Sequence, residues 1–143
     1  MTDLLELYCI ADLSGVEIDC FELCKRESLS IAEPDGTFFI AIDPFKLTSY
    51  RDERMKLAHE LGHCVTGSFY NQRACCDVRQ KHENRADKWA ISVLIPADEL
   101  EQAVAAGHTE LWDLAEYFDV TEDLMRKALC WHTHGNLAED LYG

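Results

Sequence analysis

A chain of 143 residues with 48% hydrophobic side chains has the length of one domain and enough apolar material for a single packed core. Aspartate and glutamate outnumber lysine and arginine by 27 to 13, a formal charge of −14 that opposes docking on a nucleic-acid backbone or an anionic membrane face and suits a basic protein partner. No run of 18 apolar residues occurs, and Asp3, Glu6, Asp12, Glu17 and Asp19 interrupt every signal-like stretch near the start, so a cytoplasmic protein without a membrane span is expected.

The elements follow in order. Residues 3–13 place apolar side chains at helical spacing, and Gly15 stands where such a helix would stop. Val16–Phe21 alternates apolar and polar residues like a half-buried strand, and Ser28–Ala32 reads as a second. The turn signal Glu33-Pro34-Asp35-Gly36 then leads into Thr37–Ile42, β-branched and aromatic, which Asp43-Pro44 ends. Ser49 is placed to cap a helix, with Asp52 three residues on as the reciprocal partner and Gly67 as the stop. Further helices are expected over Arg79–Leu94, ended by Ile95-Pro96, over Asp98–Ala106, over Leu111–Phe118 and over Glu122–Trp131. The expected fold is α+β: a small three-stranded antiparallel sheet packed on a helical bundle. One domain is expected, with residues 1–48 forming a helix and the sheet, 49–96 the metal-binding helices and 97–143 the C-terminal helices.

The chemistry lies in His59-Glu60-Leu61-Gly62-His63, an HExxH pattern inside the helix that begins after Ser49. Residues four apart differ by only about 40° around a helix axis, so both imidazoles can bind one ion; Glu60, offset by about 100°, can stand beside that ion as general base without ligating it. On the next helix Glu83, Ala86, Asp87, Ala90, Ile91 and Leu94 share one face, which turns two carboxylates toward the core. Buried carboxylates are costly unless a cation or a donor satisfies them. Glu83 as third ligand and Asp87 as hydrogen-bond partner of a ligand histidine resolve that conflict. Two histidines and a glutamate leave a fourth position open, as in catalytic rather than structural zinc sites. A site of the HExxHxxGxxH kind is excluded, because Thr66 and Phe69 stand where glycine and histidine would be needed.

With these ligands placed, the chain resembles the ImmA/IrrE family of metallopeptidases. The blocks that carry the resemblance are Arg54-Met-Lys-Leu-Ala-His-Glu-Leu-Gly-His63 and Glu83-Asn-Arg-Ala-Asp-Lys-Trp-Ala90, the latter leading to Leu94-Ile-Pro96. Ile40–Pro44 and Leu114–Leu124 are similar to the family as well. The resemblance implies a cytoplasmic protein of prophage or mobile-element type that uses zinc. It implies His59, His63 and Glu83 as ligands, Glu60 as catalytic acid and base, and a helix-turn-helix repressor as protein substrate.

Other polar residues have plainer readings. His82 points about 100° away from the Glu83 stripe and reads as a solvated or capping side chain. Tyr70, His82, His132 and His134 are the candidates for an oxyanion-stabilising group. Cys64 is offset from His63 by the same angle and reads as packing. The seven cysteines fit neither a disulfide framework nor a CxxC pair and are expected as reduced thiols, with Cys75 and Cys76 the candidates for a redox role. Residues 114–129 have a helix-turn-helix outline, yet residues 110–143 hold eight acidic side chains against Arg126 and Lys127, so core packing is expected instead of direct nucleic-acid contact. The sequence thus points to a zinc-dependent endopeptidase that cleaves a repressor. The alternatives are a non-catalytic zinc-containing antirepressor and a zinc amidase acting on a small molecule.

Overall fold

The structure is a computed structural model in which residues 2–69 and 76–135 are described. Helix α1 (Leu4–Leu13) is capped by Asp3, whose carboxylate accepts the Glu6 amide at 2.8 Å. Gly15, at φ 71°, turns the chain into strand β1 (Val16–Cys20). Strands β2 (Ser28–Ala32) and β3 (Phe38–Ile42) form a hairpin, its turn closed by Glu33 N–H donating to the Thr37 carbonyl and by Asp35 accepting from Thr37.

The sheet differs from expectation in one respect. Its order is β1-β3-β2: β2 runs antiparallel to β3, whereas β1 runs parallel to it, with Val16 opposite Phe38 and Cys20 opposite Ile42. The sheet is therefore mixed, not wholly antiparallel. The physical reason is the connection 21–27, long enough to step over one strand position before β2 starts. The central slot goes to β3, the most apolar strand, in which Ile40, Ala41 and Ile42 are fully buried.

Helix α2 (Tyr50–Thr66) begins where its cap dictates. Ser49 accepts the Asp52 amide at 3.1 Å, and Asp52 accepts the Thr48 amide at 3.1 Å; Gly67, in the left-handed region at φ 67°, ends the helix. Helix α3 (Cys76–Leu94) starts a little earlier than its polar first turn suggests, and α4 (Ala97–Ala105), α5 (Leu111–Phe118) and α6 (Glu122–His134) follow. The last runs beyond Trp131 because nothing breaks it before Gly135, at φ 78°. Leu114, Phe118, Leu124, Met125 and Ala128 of α5 and α6 enter the same buried cluster as Ile40, Leu57, Leu61, Ile91 and Leu94, so this pair of helices uses its apolar faces for packing.

Two features fix α2 against its neighbours. A Cβ on Gly62 would stand 2.5 Å from the Ala86 carbonyl oxygen and 2.9 Å from Ala86 Cα, so only glycine lets α2 and α3 approach this closely. Arg54 is 2% exposed and fans its guanidinium onto carbonyls: Nε donates to Thr2 at 2.8 Å, and Nη1 donates to Phe118 at 3.0 Å and Asp119 at 2.8 Å. The buried cation thereby joins the N-terminal segment to the C-terminal end of α5, where the helix dipole favours positive charge.

Candidate metal centre

The α2–α3 crossing sets the site. One turn apart on α2, the rings of His59 and His63 lie with centroids 4.9 Å apart and planes at 86°. From α3, Glu83 Oε2 lies 2.8 Å from His59 Nε2 and Glu83 Oε1 3.1 Å from His63 Nε2. Each side chain offers one ligand atom, and the three atoms lie within 4.8 Å of one another. Two imidazole nitrogens and a carboxylate oxygen are a donor set that fits a divalent transition metal and leaves a coordination position open.

The remaining ring nitrogens are also engaged. His63 Nδ1 meets the carbonyl of Ser68. A carbonyl can only accept, so Nδ1 carries the proton and Nε2 presents its lone pair. Ser68 reaches this position because the left-handed turn at Gly67 folds the chain back, with Ser68 N–H donating to the His63 carbonyl at 2.9 Å. His59 Nδ1 lies 2.8 Å from Asp87 Oδ1, and the other Asp87 oxygen accepts from Lys127 Nζ of α6 at 3.1 Å. Burial opposes charge on His59, but hydrogen bonds to Asp87 and Glu83 outweigh it and hold its pKa at about 10. Burial alone would raise the acids of Glu83 and Asp87; hydrogen bonds from His59 lower both, with His63 adding to the effect on Glu83 and Lys127 to that on Asp87.

Glu60, 7% exposed, accepts a 2.7 Å hydrogen bond from the Ser28 hydroxyl of β2. It opens into a cleft of about 280 Å³ that His59, His63 and Glu83 also line, faced by Arg26, Leu29 and Ser30 from the sheet side and by Ser68 and Phe69 beyond α2. A carboxylate, a group of metal-ligating atoms and a space for substrate thus share one cavity, an arrangement suited to activating water against a carbonyl.

The other candidates fall elsewhere. His82 is not among the cleft residues, His132 Nε2 bonds the Ile95 carbonyl at 2.8 Å, and His134 is exposed. Burial, reinforced by the charge of Glu60, pushes the Cys64 thiol up to about 12, so it stays protonated within the core. Tyr70, Cys75 and the side chain of Cys76 lie outside the described residues. Sequence reasoning missed Ser28, Ser68 and Lys127. Only Ser28 carried any local signal, as a small polar residue opening a strand.

The family model of the IrrE N-terminal-like domain, Peptidase_M78, matches residues 34–129. The chain belongs to this family. The Peptidase_M78 match spans β3, α2, α3, α4, α5 and most of α6, and so every residue of the His59, His63 and Glu83 group; it marks the chain as a metallopeptidase-type protein. No curated protein gives a significant match. Among the described residues, no helix is long and apolar enough to cross a membrane.

Proposed function

We propose that this member of the Peptidase_M78 family is a zinc-dependent endopeptidase of the cytoplasm, with His59, His63 and Glu83 as ligands, Glu60 as general base and Asp87 orienting His59. The observation that carries the reading is the sharing of one cleft by three converging ligand atoms and a carboxylate that ligates nothing. Bound zinc would supply Lewis acidity toward water and the scissile carbonyl. Glu60 accepts the proton of the attacking water and returns it to the leaving amine. The Ser28 hydroxyl keeps the carboxylate aimed while it does so. Strand β2 lies at the edge of the sheet, and its Leu29 and Ser30 face the cleft, so an extended substrate segment can align beside it as an added strand.

The proposed substrate is a helix-turn-helix repressor. Two things support it: the likeness to ImmA/IrrE metallopeptidases, and a charge of −14 that draws in a basic DNA-binding protein. The test measures metal content and repressor cleavage for the native chain, Glu60→Gln and Glu83→Ala. The expected result is one zinc per native chain, retained in Glu60→Gln and depleted in Glu83→Ala, with cleavage by the native chain alone. Full cleavage by Glu60→Gln would overturn the general-base assignment, and absence of metal from all three after zinc is supplied would overturn the site.

A further inference from the structure

Arg26 is the lone arginine or lysine among the residues lining the cleft. Among the described residues it forms no ion pair; Lys25, Lys81 and Arg85 form none either, but they do not line the cleft. The backbone of Arg26, by contrast, is held firmly. Lys46 Nζ donates to the carbonyls of Leu23 and Arg26, at 2.5 and 3.0 Å. The buried Asp43 accepts the Leu23 amide at 2.9 Å, and its own amide donates to Glu27 at 2.9 Å. A tethered loop therefore places Arg26, exposed to solvent, at the rim of the cavity.

We propose that Arg26 is a specificity residue that binds a carboxylate of the peptide substrate close to the bond to be cleaved. The inference rests on the peptidase reading above. Arginine presents parallel N–H donors that match a carboxylate two-to-two, and a partner supplied by the substrate completes a pairing the chain itself leaves open. The position limits where that carboxylate sits. Arg26 lies two residues before Ser28, which opens β2 and touches Glu60, so a segment aligned with β2 passes Arg26 near the cleavage point. The local charge agrees. With a divalent cation held there, the cation, Glu60, Glu83 and Arg26 would together carry one net positive charge in a molecule that is otherwise strongly negative. The overall charge attracts a basic partner, and the cleft then selects an acidic residue within it. Arg26 also lies upstream of residue 34, where the family match begins.

The experiment titrates the zinc-loaded chain with short peptides carrying a hydroxamate as metal-binding group and a C-terminal amide, with Glu or Gln walked through successive positions. A second pair compares a free C-terminal carboxylate with its amide. One position is expected to favour Glu over Gln by about fivefold, as one partly exposed ion pair allows. That ratio falls to about one in Arg26→Ala, is retained in part by Arg26→Lys and inverts in Arg26→Glu. A preference confined to the free terminus, lost in the same variants, identifies the chain end as the source of the carboxylate. Equal affinity throughout for the native chain, or a preference unchanged in Arg26→Ala, overturns the proposal while leaving the peptidase reading intact. Failure of every hydroxamate to bind zinc-loaded protein removes that reading, and this inference with it.

Discussion

Replacing Gly62 by alanine tests how the two helices hold the site. The new Cβ would stand 2.5 Å from the Ala86 carbonyl oxygen, and restoring the 3.4 Å at which ordinary contact begins displaces α3 by 0.9 Å. Glu83 lies one turn from Ala86 on the same helix and moves with it. Metal–ligand distances tolerate only about 0.2 Å, so the displacement is several times what a shared ion accepts, and zinc affinity should fall at least about tenfold. Stability responds less. Overpacking costs about 1–3 kcal/mol, and the better helix propensity of alanine returns about 1 kcal/mol, leaving a loss of about 0–2 kcal/mol. At this chain length that lowers the melting temperature by no more than about 7 °C. Competition with a chromophoric chelator measures the affinity and thermal denaturation the stability. Zinc affinity within threefold of the native chain would refute the idea that the Gly62–Ala86 contact sets the ligand geometry.

Three further outcomes follow from the same contacts. With its pKa held at about 10, His59 is protonated at pH 7 in chelator-treated protein, and a ligand nitrogen must be free of its proton. Zinc uptake should therefore release close to one proton from His59, where an unperturbed histidine would release roughly a quarter, and affinity should rise as pH increases; heats of binding independent of buffer ionisation enthalpy would contradict this. Ser28→Ala removes the 2.7 Å hydrogen bond to Glu60 without touching a ligand atom, so kcat should fall about tenfold, equivalent to about 1.4 kcal/mol, at unchanged zinc content. Arg54→Met strips donors from the Thr2, Phe118 and Asp119 carbonyls and should cost about 3 kcal/mol, a drop of about 10 °C in melting temperature, with Arg54→Lys unable to restore the fan of contacts.

The parts of the fold legible in the sequence are those set by short-range chemistry. Ser49 and Gly67 bound α2 because a hydroxyl cap and a left-handed stop act within one turn. The pairing of His59 with His63, and the stripe that carries Glu83 and Asp87, follow from helical periodicity alone. Strand direction was not legible: the side chains of Val16–Cys20 alternate in the same way whether the neighbour runs parallel or antiparallel, and only the step taken by residues 21–27 decides it. Arg54 stood in plain view within the family-like block, but its partners are backbone carbonyls 52, 64 and 65 residues away, which leave no trace in local composition. The same holds for Ser68, whose carbonyl and not its side chain meets His63.

The insertion of β3 between two strands that precede it bears on how the chain is assembled and how it can be cut. The β2–β3 hairpin can close by itself, but β1 has its hydrogen-bonding neighbour only once residues 38–42 exist, so β1 awaits a strand that comes after β2. A fragment trimmed to the family-matched stretch 34–129 would keep β3 and discard both of its neighbours. It would bare two unpaired edges on the most apolar strand of the protein, a template for self-association. The first 33 residues therefore act as a shield for the central strand as well as one wall of the cleft.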